Sequence, residues 1–411
     1  MLNKIYGNEL EKEEIEPIVY KDNSGANRPE LLNNMIPVYY DGSNWIYADI
    51  YKEWYDYDAK EWANAVVLNS GVTKNVGDII TEDEIALWYV WIPRYTYTIF
   101  NGNNGSVDPL EIQIKFESGT NSSGTVECVD AVSGSGTSSE TCTDLTNGSI
   151  KNGTSTYTHP AFTFGDQELK GFWVGKFEVS GSTSQITIKP NITSLRNQTV
   201  SSFFTAIKNI SSQYSLNGYS HMIKNMEWGA IAYLSHSKYG TCTDGTCTEV
   251  VINSSTNYYT GGGTSNAYKT NVAQSINHNI YGVYDMNGSA YEYVMGNMVN
   301  SSGLFYSSGA GFGEIPDSKY YDSYTYGTSF TTHSRGKLGD ATKETLKILS
   351  SQYGGWYDCA TAFPGIVSGF NSYYWLTRGG KVNDKPGLFA INTYTGGIHV
   401  GASTRAVLVS N

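Results

Sequence analysis

Long runs of apolar and aromatic residues along the chain predict buried strands. Residues 86–98 (ALWYVWIPRYTYT) begin as a run that suits burial on both faces and end in alternation, which predicts one strand. Residues 171–180 (GFWVGKFEVS) have the same β-branched and aromatic content and predict another. We expect many further short strands, separated by long loops.

Apolar residues spaced three or four positions apart predict a small number of helices. One helix is expected to begin near Ser201. A clearer one covers residues 221–239, with Gly240 as its left-handed C-cap. Asp340 is placed to cap a third helix that runs through Leu349. Few helices among many short strands indicate a mixed α+β fold.

Residues 28–70 contain a weak internal repeat with aromatic residues on either side of a turn. Residues 40–45 (YDGSNW) are echoed by residues 57–62 (YDAKEW). The repeat predicts a small β-hairpin module, whose aromatic pairs either dock a ligand or only hold the short hairpins together. The expected organisation is an N-terminal arm (1–27), this aromatic β-hairpin module (28–70), a linker (71–85) and one large domain (86–411) with a loop-rich insert at about 99–158 and a variable C-terminal segment at about 371–404.

The closing segment follows neither the strand period nor the helix period. Glycine and arginine positions such as 378–380, 387 and 396–397 punctuate it, and between Pro386 and Asn411 the only formal charge is Arg405. A fixed frame with irregular side chains is typical of a recognition surface. The candidate ligand contacts are Tyr373, Tyr374, Trp375, Lys381, Asn383, Asp384, Ile391, Asn392, Tyr394, Ile398, His399, Val400 and Thr404. We expect Arg378 and Arg405 to brace backbone carbonyls instead.

Composition and charge limit the class of partner that the chain is expected to bind. The 33 tyrosines, together with abundant Ser, Gly and Asn, are a composition that binding surfaces favour. A net charge of −12 argues against nucleic acid or an anionic membrane as the main partner. The sequence has no run long and apolar enough to insert in a bilayer, and its first residues lack the layout of a secretory signal.

The five cysteines favour disulfides or inert thiols over a metal site. Cys242 and Cys247 flank a turn-forming Thr-Asp-Gly-Thr sequence and are candidates for one disulfide. Cys128 and Cys142 are candidates for a second, which leaves Cys359 unpaired. The spacing of Cys242 and Cys247, without nearby His or Cys partners, is poor evidence for zinc.

One internal motif carries a family resemblance. Residues 279–293 (NIYGVYDMNGSAYEY) resemble the N-x-x-G-L-x-D-M-x-G-N-V-x-E-W signature of the formylglycine-generating-enzyme (sulfatase-modifying factor) family. Residues 226–228, 378–380 and 404–407 are similar to its other motifs, in the same order. The resemblance covers residues 86–411 and implies a C-type-lectin-like fold of the formylglycine-generating-enzyme type.

Departures from that family bear on activity. Residues 360–411 contain no cysteine, so the cysteine pair that the family's enzymes use is missing, and the six histidines match no iron set. We therefore expect no enzymatic activity, and a metal-dependent oxidase of this family is the least favoured alternative. The resemblance leaves two roles open to Asp285 and Glu292, namely ligands of a calcium ion or hydrogen bonding within a tight turn. No other cofactor is expected.

The tail supports a second resemblance, to the variable proteins of diversity-generating retroelements. Asn codons rewritten at adenines do not reach Glu, Gln or Met, and residues 366–411 contain none of these. The resemblance implies a non-enzymatic receptor-binding protein with a diversified C-terminal surface, either at a phage tail tip on the virion or as an adhesin on a bacterial cell surface. The receptor would be a protein or a glycan on a cell, the N-terminal arm would dock to a larger assembly, and display as a homo-oligomer would raise affinity.

Overall fold

Strands outnumber helices in the part of the chain that the computed structural model describes. The described residues are 20–100, 111–122, 127–129, 158–299, 305–307, 309–325, 339–341, 374–382 and 387–411. Helices are few and short among them, so the predicted mixed α+β class is confirmed. None of the helices in these ranges has the length and apolar character needed to cross a membrane.

An eight-stranded antiparallel sheet, the main sheet, forms the centre of the fold. From one edge to the other its strands are β14 (Gly218–Met222), β22 (Ala406–Ser410), β11 (Gly171–Gly175), β5 (Ile85–Pro93), β3 (Asn64–Leu68), β1 (Met35–Tyr40), β2 (Trp45–Tyr47) and β4 (Ile79–Ile80). Every residue of β5 is buried, which agrees with its continuous apolar run. Trp88, Trp91 and Trp173 are buried with it and pack edge to face with neighbouring rings.

Both aromatic hairpins that the repeat predicts are present. Tyr40 pairs directly with Trp45 across β1 and β2, with ring centroids 5.4 Å apart. The Oδ1 of Asp41 accepts hydrogen bonds from the backbone N–H groups of the two residues before Trp45, at 2.8 and 2.7 Å, and so fixes the turn. In the second copy the rings of Tyr57 and Trp62 stack at 6.1 Å. The aromatic pairs hold the hairpins together, which is one of the two roles left open above.

These hairpins do not form a separate module. β3 pairs along its length with β5, so residues 35–68 and the predicted large domain share the main sheet. The predicted linker contains β4, the edge strand of the same sheet. The expected boundaries at 70 and 85 are therefore wrong for the described residues, because backbone pairing between distant strands leaves no local mark in a sequence.

A second sheet and a third small sheet lie beyond the main sheet. The second sheet contains β18 (Asp322–Thr325), β17 (Tyr291–Val299), β19 (Trp375–Arg378), β20 (Ile391–Tyr394) and β21 (Ala402–Ser403), and the third contains β7 (Gln113–Phe116), β6 (Tyr95–Phe100) and β8 (Glu127–Val129). Three hairpins join β9 (Thr163–Phe164) to β10 (Gln167–Glu168), β12 (Ser180–Ser182) to β13 (Gln185–Thr187), and β15 (Cys242–Thr243) to β16 (Thr246–Cys247). The α-helices are α1 (Val200–Lys208), α2 (Ile210–Gln213), α3 (Asn225–Ser235) and α4 (Ala267–Thr270), and 3₁₀ turns cover 160–162, 260–262, 272–274 and 318–320.

Several predicted boundaries are corrected. The strand expected over 86–98 divides at Arg94, which is buried and donates to Glu117 at 2.9 Å and Glu168 at 2.8 Å. The strand expected over 171–180 ends at Gly175. The helix expected near Ser201 is confirmed as α1.

The helix predicted over residues 221–239 is shorter than expected, because its first residues pair with β22 as part of β14. It ends at Ser235, so Gly240 is not its cap. The helix expected after Asp340, through Leu349, lies outside the described residues.

Tyrosine builds much of the core as well as surface. Tyr57, Tyr89 and Tyr284 are fully buried, and the hydroxyl of Tyr57 donates to the backbone carbonyl of Trp91 at 2.7 Å. A ring that carries one hydrogen-bonding end suits a core with many backbone carbonyls to satisfy. Tyrosine content alone therefore does not identify the binding surface.

Removal of residues 1–84 should abolish folding, because β5 would lose its pairing partner β3 and expose an apolar face. We expect the chain 85–411 to show no cooperative thermal transition by circular dichroism and to aggregate. The control is the chain 20–411, which keeps all of the described strands. A cooperative transition in the chain 85–411 would show that this part folds without residues 1–84 and would support the separate module.

Candidate functional site

The second sheet presents the closing segment at the surface. β19 and β20 form an antiparallel pair, with Arg378 opposite Ile391. Along β20 the side chains of Ile391 and Thr393 are buried, whereas Asn392 is exposed and Tyr394 is half-buried. Buried and exposed side chains therefore alternate along β20, although the sequence predicts no strand period here. The alternation is not visible in the sequence because the polar Thr393 faces the interior and the aromatic Tyr394 faces outwards.

After β20 the chain crosses the surface, and its backbone carbonyls are held by other parts of the fold. The carbonyls of Gly396, His399 and Gly401 accept backbone N–H groups at 2.9, 3.3 and 2.9 Å. The donors belong to Val200, Asn197 and Tyr291, respectively. The Tyr293 hydroxyl donates to the carbonyl of Gly397 at 3.0 Å, and Nη1 of Arg196 donates to that of Val400. The path of this segment is thus fixed through main-chain atoms.

The side chains on this segment point into solvent. Ile398 is 70% exposed and Val400 is 68% exposed, values unusual for β-branched aliphatic residues. Six of the predicted contact residues are at least partly exposed here, and we call them the tail face: Lys381, Asn392, Tyr394, Ile398, His399 and Val400.

Aromatic contacts organise the floor of the tail face. The rings of Tyr394 and His399 lie 4.6 Å apart, and both approach the buried ring of Tyr291, at 5.6 and 6.1 Å. The Nζ of Lys381 lies 5.6 Å from the centroid of the same Tyr291 ring. These contacts connect β17, the loop after β19 and the segment after β20 into one continuous surface.

The charged side chains that the structure describes at the tail face are positive, in contrast to the acidic chain. Lys381 belongs to it, Arg196 borders it, and residues 387–411 contain no Asp or Glu. Partial burial lowers the pKa of His399, and the nearby Lys381 ammonium lowers it further. His399 is therefore a neutral ring at physiological pH, and its Nδ1 accepts the N–H of Gly401 at 3.1 Å.

Four of the predicted contacts are buried and do not belong to the tail face. Tyr374 stacks on Tyr306 with centroids 3.4 Å apart, and Trp375 packs among other aromatic rings. Ile391 faces the interior, and the Thr404 hydroxyl donates to the carbonyl of Tyr293 at 2.7 Å. As ligand contacts these four predictions are wrong. The predicted contacts Tyr373, Asn383 and Asp384 lie outside the described residues.

Sequence reasoning missed three residues that shape the tail face. Tyr291 forms its floor, and Arg196 holds the Val400 carbonyl while its guanidinium stacks on Tyr258 at 4.1 Å. The motif at 279–293, which contains Tyr291, could have drawn attention to that residue. Nothing in the sequence connects Arg196 or Tyr258 with the tail, because both are far from it along the chain.

Asp285 and Glu292 perform structural roles. Both oxygens of Glu292 accept from Arg405, at 2.6 and 3.1 Å. The Oδ1 of Asp285 accepts from the Asn253 side chain and from Gly261 N–H, both at 2.8 Å. A guanidinium therefore occupies the side of Glu292 that a calcium ion would need, so the pair does not fit calcium.

The two arginines brace backbone carbonyls, as predicted. Arg405 donates to the carbonyls of Gly175 and Tyr284, at 2.7 and 2.8 Å. Arg378 donates to the carbonyls of Asp340 and Ala341, at 3.1 and 3.3 Å. Both are fully buried, which keeps them from contacting a ligand on the tail face.

A third buried carboxyl, Glu178, completes an acidic cluster around Arg405. Burial raises the pKa of Glu178 well above its ordinary value, and Asp285 and Glu292 raise it further. Burial also raises the pKa of Asp285 to about 6, although Arg405 opposes the shift. Burial raises the pKa of Glu292 to about 7, again against Arg405. One guanidinium does not offset three carboxylates, so the fold favours retention of protons within the cluster, whereas Glu292 is the carboxyl that pairs with Arg405.

One of the two predicted disulfides is confirmed, and the other lies outside what the structure describes. A Cys242–Cys247 disulfide is present across β15 and β16, as predicted. The predicted Cys128–Cys142 pairing lies outside the side chains that the structure describes. The expectation that no histidine lies near Cys242 is wrong. The ring of His236 lies beside the disulfide, and no other set of three or more His, Cys, Asp or Glu ligand atoms converges within the described ranges.

No protein-family model matches the chain, and no match was found among curated proteins. The candidate function therefore depends on the geometry of the site.

Gly396→Ala should destabilise the fold more than Gly397→Ala. Gly396 has φ of +80°, and an added Cβ would lie 2.3 Å from Cδ1 of Trp375. The nearest contact of a Cβ at Gly397 would be 3.2 Å. We expect a loss of about 2 kcal/mol in the free energy of unfolding for Gly396→Ala and below about 1 kcal/mol for Gly397→Ala, measured by urea denaturation. Equal losses would contradict the described path.

Glu178→Gln should change how stability depends on pH. The folded chain keeps the cluster protonated where the unfolded chain has lost those protons. The stability that protonated Glu178 contributes is therefore fully present below its ordinary pKa of 4.5 and is lost as pH rises towards its raised pKa in the folded chain. Because the variant removes one of these groups, its free energy of unfolding should exceed that of the wild type by an amount that grows over this window. Glu314→Gln, at an exposed position, is the control. A constant difference would argue against the buried cluster.

Proposed function

We propose that the chain is a non-enzymatic ligand-binding protein that recognises a receptor through the tail face. The observation that carries the proposal is the difference between the backbone and the side chains of residues 396–401. Their backbone carbonyls are bound by other parts of the fold, whereas Ile398 and Val400 project into solvent.

Main-chain anchoring makes the side chains replaceable. A hydrogen bond to a backbone carbonyl does not depend on the side chain of that residue, so substitution at Ile398 or Val400 leaves the anchors in place. Surfaces used for binding are held in this way on rigid elements, with irregular connections carrying the contacts. The arrangement therefore supports a segment whose sequence varies while its path does not.

The chemistry of the tail face suits binding. Two exposed aliphatic side chains on an aromatic floor provide apolar area, with Asn392 and Lys381 as polar groups at the side. Such a surface accepts either a protein or a glycan receptor on a cell. The acidic chain is poorly suited to nucleic acid, in agreement with its net charge of −12.

The finer assignment is a C-type-lectin-like scaffold of the formylglycine-generating-enzyme type that displays a retroelement-diversified segment at a phage tail tip. A bacterial surface adhesin of the same fold is the alternative. The motif at 279–293 supports the scaffold, and the residue types in 366–411 support the diversification. Docking of the N-terminal arm to a larger assembly and display as a homo-oligomer belong to the same proposal. An oxidase that retains the family's metal chemistry is the least favoured assignment.

Replacement of Ile398 and Val400 by Ala should weaken receptor binding without loss of stability. We expect the fluorescently labelled wild-type chain to bind at least one strain in a panel of whole bacterial cells. The double variant should bind at least tenfold more weakly, because each lost contact at the centre of an interface costs about 1 kcal/mol or more.

The matched control replaces Val76 and Ile79, which are 59% and 48% exposed elsewhere on the fold. This control should bind like the wild type, and all three chains should melt at the same temperature. Equal weakening by the Ile398/Val400 variant and the control, or unchanged binding by the Ile398/Val400 variant, would refute the tail face as the binding site. For the diversification, the coding region should lie near a reverse transcriptase and a copy of its 3′ segment that differs only at adenines.

A further inference from the structure

The hairpin that carries Cys242 and Cys247 is shaped by its turn as well as by its disulfide. The two cysteines are direct cross-strand partners, and Thr243 pairs with Thr246. Asp244 and Gly245 at the tip have φ of 51° and 78°, the left-handed values that a two-residue type I′ turn requires. The turn therefore keeps the two sulfur atoms adjacent whether or not they are bonded to each other.

His236 is fixed behind this hairpin. A ring nitrogen of His236 and the two sulfur atoms all lie within 4.8 Å of one another. The backbone of His236 is held on both sides, since its N–H donates to the carbonyl of Ala232 at 3.0 Å and its carbonyl accepts from Ile112 at 2.9 Å. The side chains of His236 and Cys242 are buried, and that of Cys247 is partly exposed.

A cation close to the hairpin favours the ligand form of the two cysteines. The Nζ of Lys60 donates to the carbonyl of Cys242 at 3.1 Å and brings a positive charge close to the cysteine pair. A nearby cation stabilises a thiolate, which is the form that binds metals.

We propose that His236, Cys242 and Cys247 form a redox-gated metal site, which binds one zinc-like divalent ion when the disulfide is reduced. A tetrahedral site with two sulfurs and one nitrogen needs these atoms roughly 3.3–3.8 Å apart, so the observed cluster requires only a small movement. The fourth position would be taken by solvent.

The redox step balances with a dithiol reductant. The reductant transfers two electrons and two protons, the Cys242–Cys247 bond breaks to give two thiols, and the reductant becomes a disulfide. Binding of the metal ion then releases the two thiol protons. Reoxidation by a disulfide oxidant reverses both steps: the two thiolates give up two electrons, the oxidant takes up those electrons and two protons to become a dithiol, the Cys242–Cys247 bond re-forms and the ion is released.

A purely structural disulfide explains less of this arrangement. Closure of so short a loop restricts the unfolded chain only slightly in the chain-entropy picture, because the two cysteines are five positions apart. The type I′ turn already closes the hairpin, and a structural bond does not need a histidine nitrogen close to both sulfurs. The redox-gated site accounts for all three residues.

Cobalt titration of the full chain tests the proposal. The chain is reduced with dithiothreitol, desalted under nitrogen and titrated with Co²⁺. We expect one equivalent to bind with thiolate-to-cobalt charge-transfer absorption and tetrahedral d–d bands, which Zn²⁺ then removes. The oxidised chain should show neither. Absence of the bands in the reduced chain, or their presence in the oxidised chain, would overturn the proposal.

Two sets of variants locate the ligands. Replacement of Cys128, Cys142 and Cys359 by Ser should leave the bands intact, whereas replacement of Cys242 and Cys247 by Ser should remove them. The opposite result would place the metal elsewhere and overturn the proposal. His236→Gln should weaken affinity by about 100-fold or more, in line with loss of a direct ligand. X-ray absorption on the zinc-loaded wild-type chain tests His236 without substitution, and a shell of sulfur and solvent oxygen alone would exclude it.

Discussion

The buried ion pair between Arg405 and Glu292 joins the two larger sheets. Arg405 directly precedes β22 of the main sheet, Glu292 lies in β17 of the second sheet, and the guanidinium also binds the carbonyl at the end of β11. Removal of these charges from water is costly, and the cost is offset because both carboxylate oxygens accept charge-assisted hydrogen bonds from the guanidinium. Loss of either partner would leave an uncompensated charge between the sheets.

The tail face depends on this junction. Thr404, next to Arg405, is hydrogen-bonded to β17, and β21 pairs with the same strand one step earlier. The end of the surface segment is therefore fixed by buried groups, and its beginning is fixed by β20. Between these two ends the hydrogen bonds to backbone carbonyls fix the path of the segment. The exposed side chains of Ile398 and Val400 therefore contribute little to holding the segment in place.

Local patterns in the sequence predicted a substantial part of this structure. The aromatic hairpins, α1, the bracing roles of both arginines and the Cys242–Cys247 disulfide follow from turn chemistry, spacing and residue type. The shared main sheet did not, because pairing of β3 with β5 and insertion of β22 between β14 and β11 join residues that are distant along the chain. The sequence predicted that side chains of the closing segment reach the surface, but it did not separate them from those that are buried. Trp and Ile occur both in binding surfaces and in protein cores. Trp375 and Ile391 are buried because of the side of the strand on which each side chain lies, and residue type does not show that side. The approach of His236 to the cysteines also depends on the end of α3, which the sequence placed four residues too late.

The position of β22 has a consequence for the order of folding. β22 is an inner strand of the main sheet, with β14 on one side and β11 on the other, and it follows the tail face in sequence. During synthesis the tail segment leaves the ribosome before the strand that completes the sheet, so the sheet has a gap until residue 410 is available. A substitution within the tail face leaves that strand in place. A frameshift or stop codon there removes it and exposes the edges of two strands, which places the chain among aggregation-prone species. Folding therefore tolerates changed side chains in the tail face but requires an intact reading frame through β22.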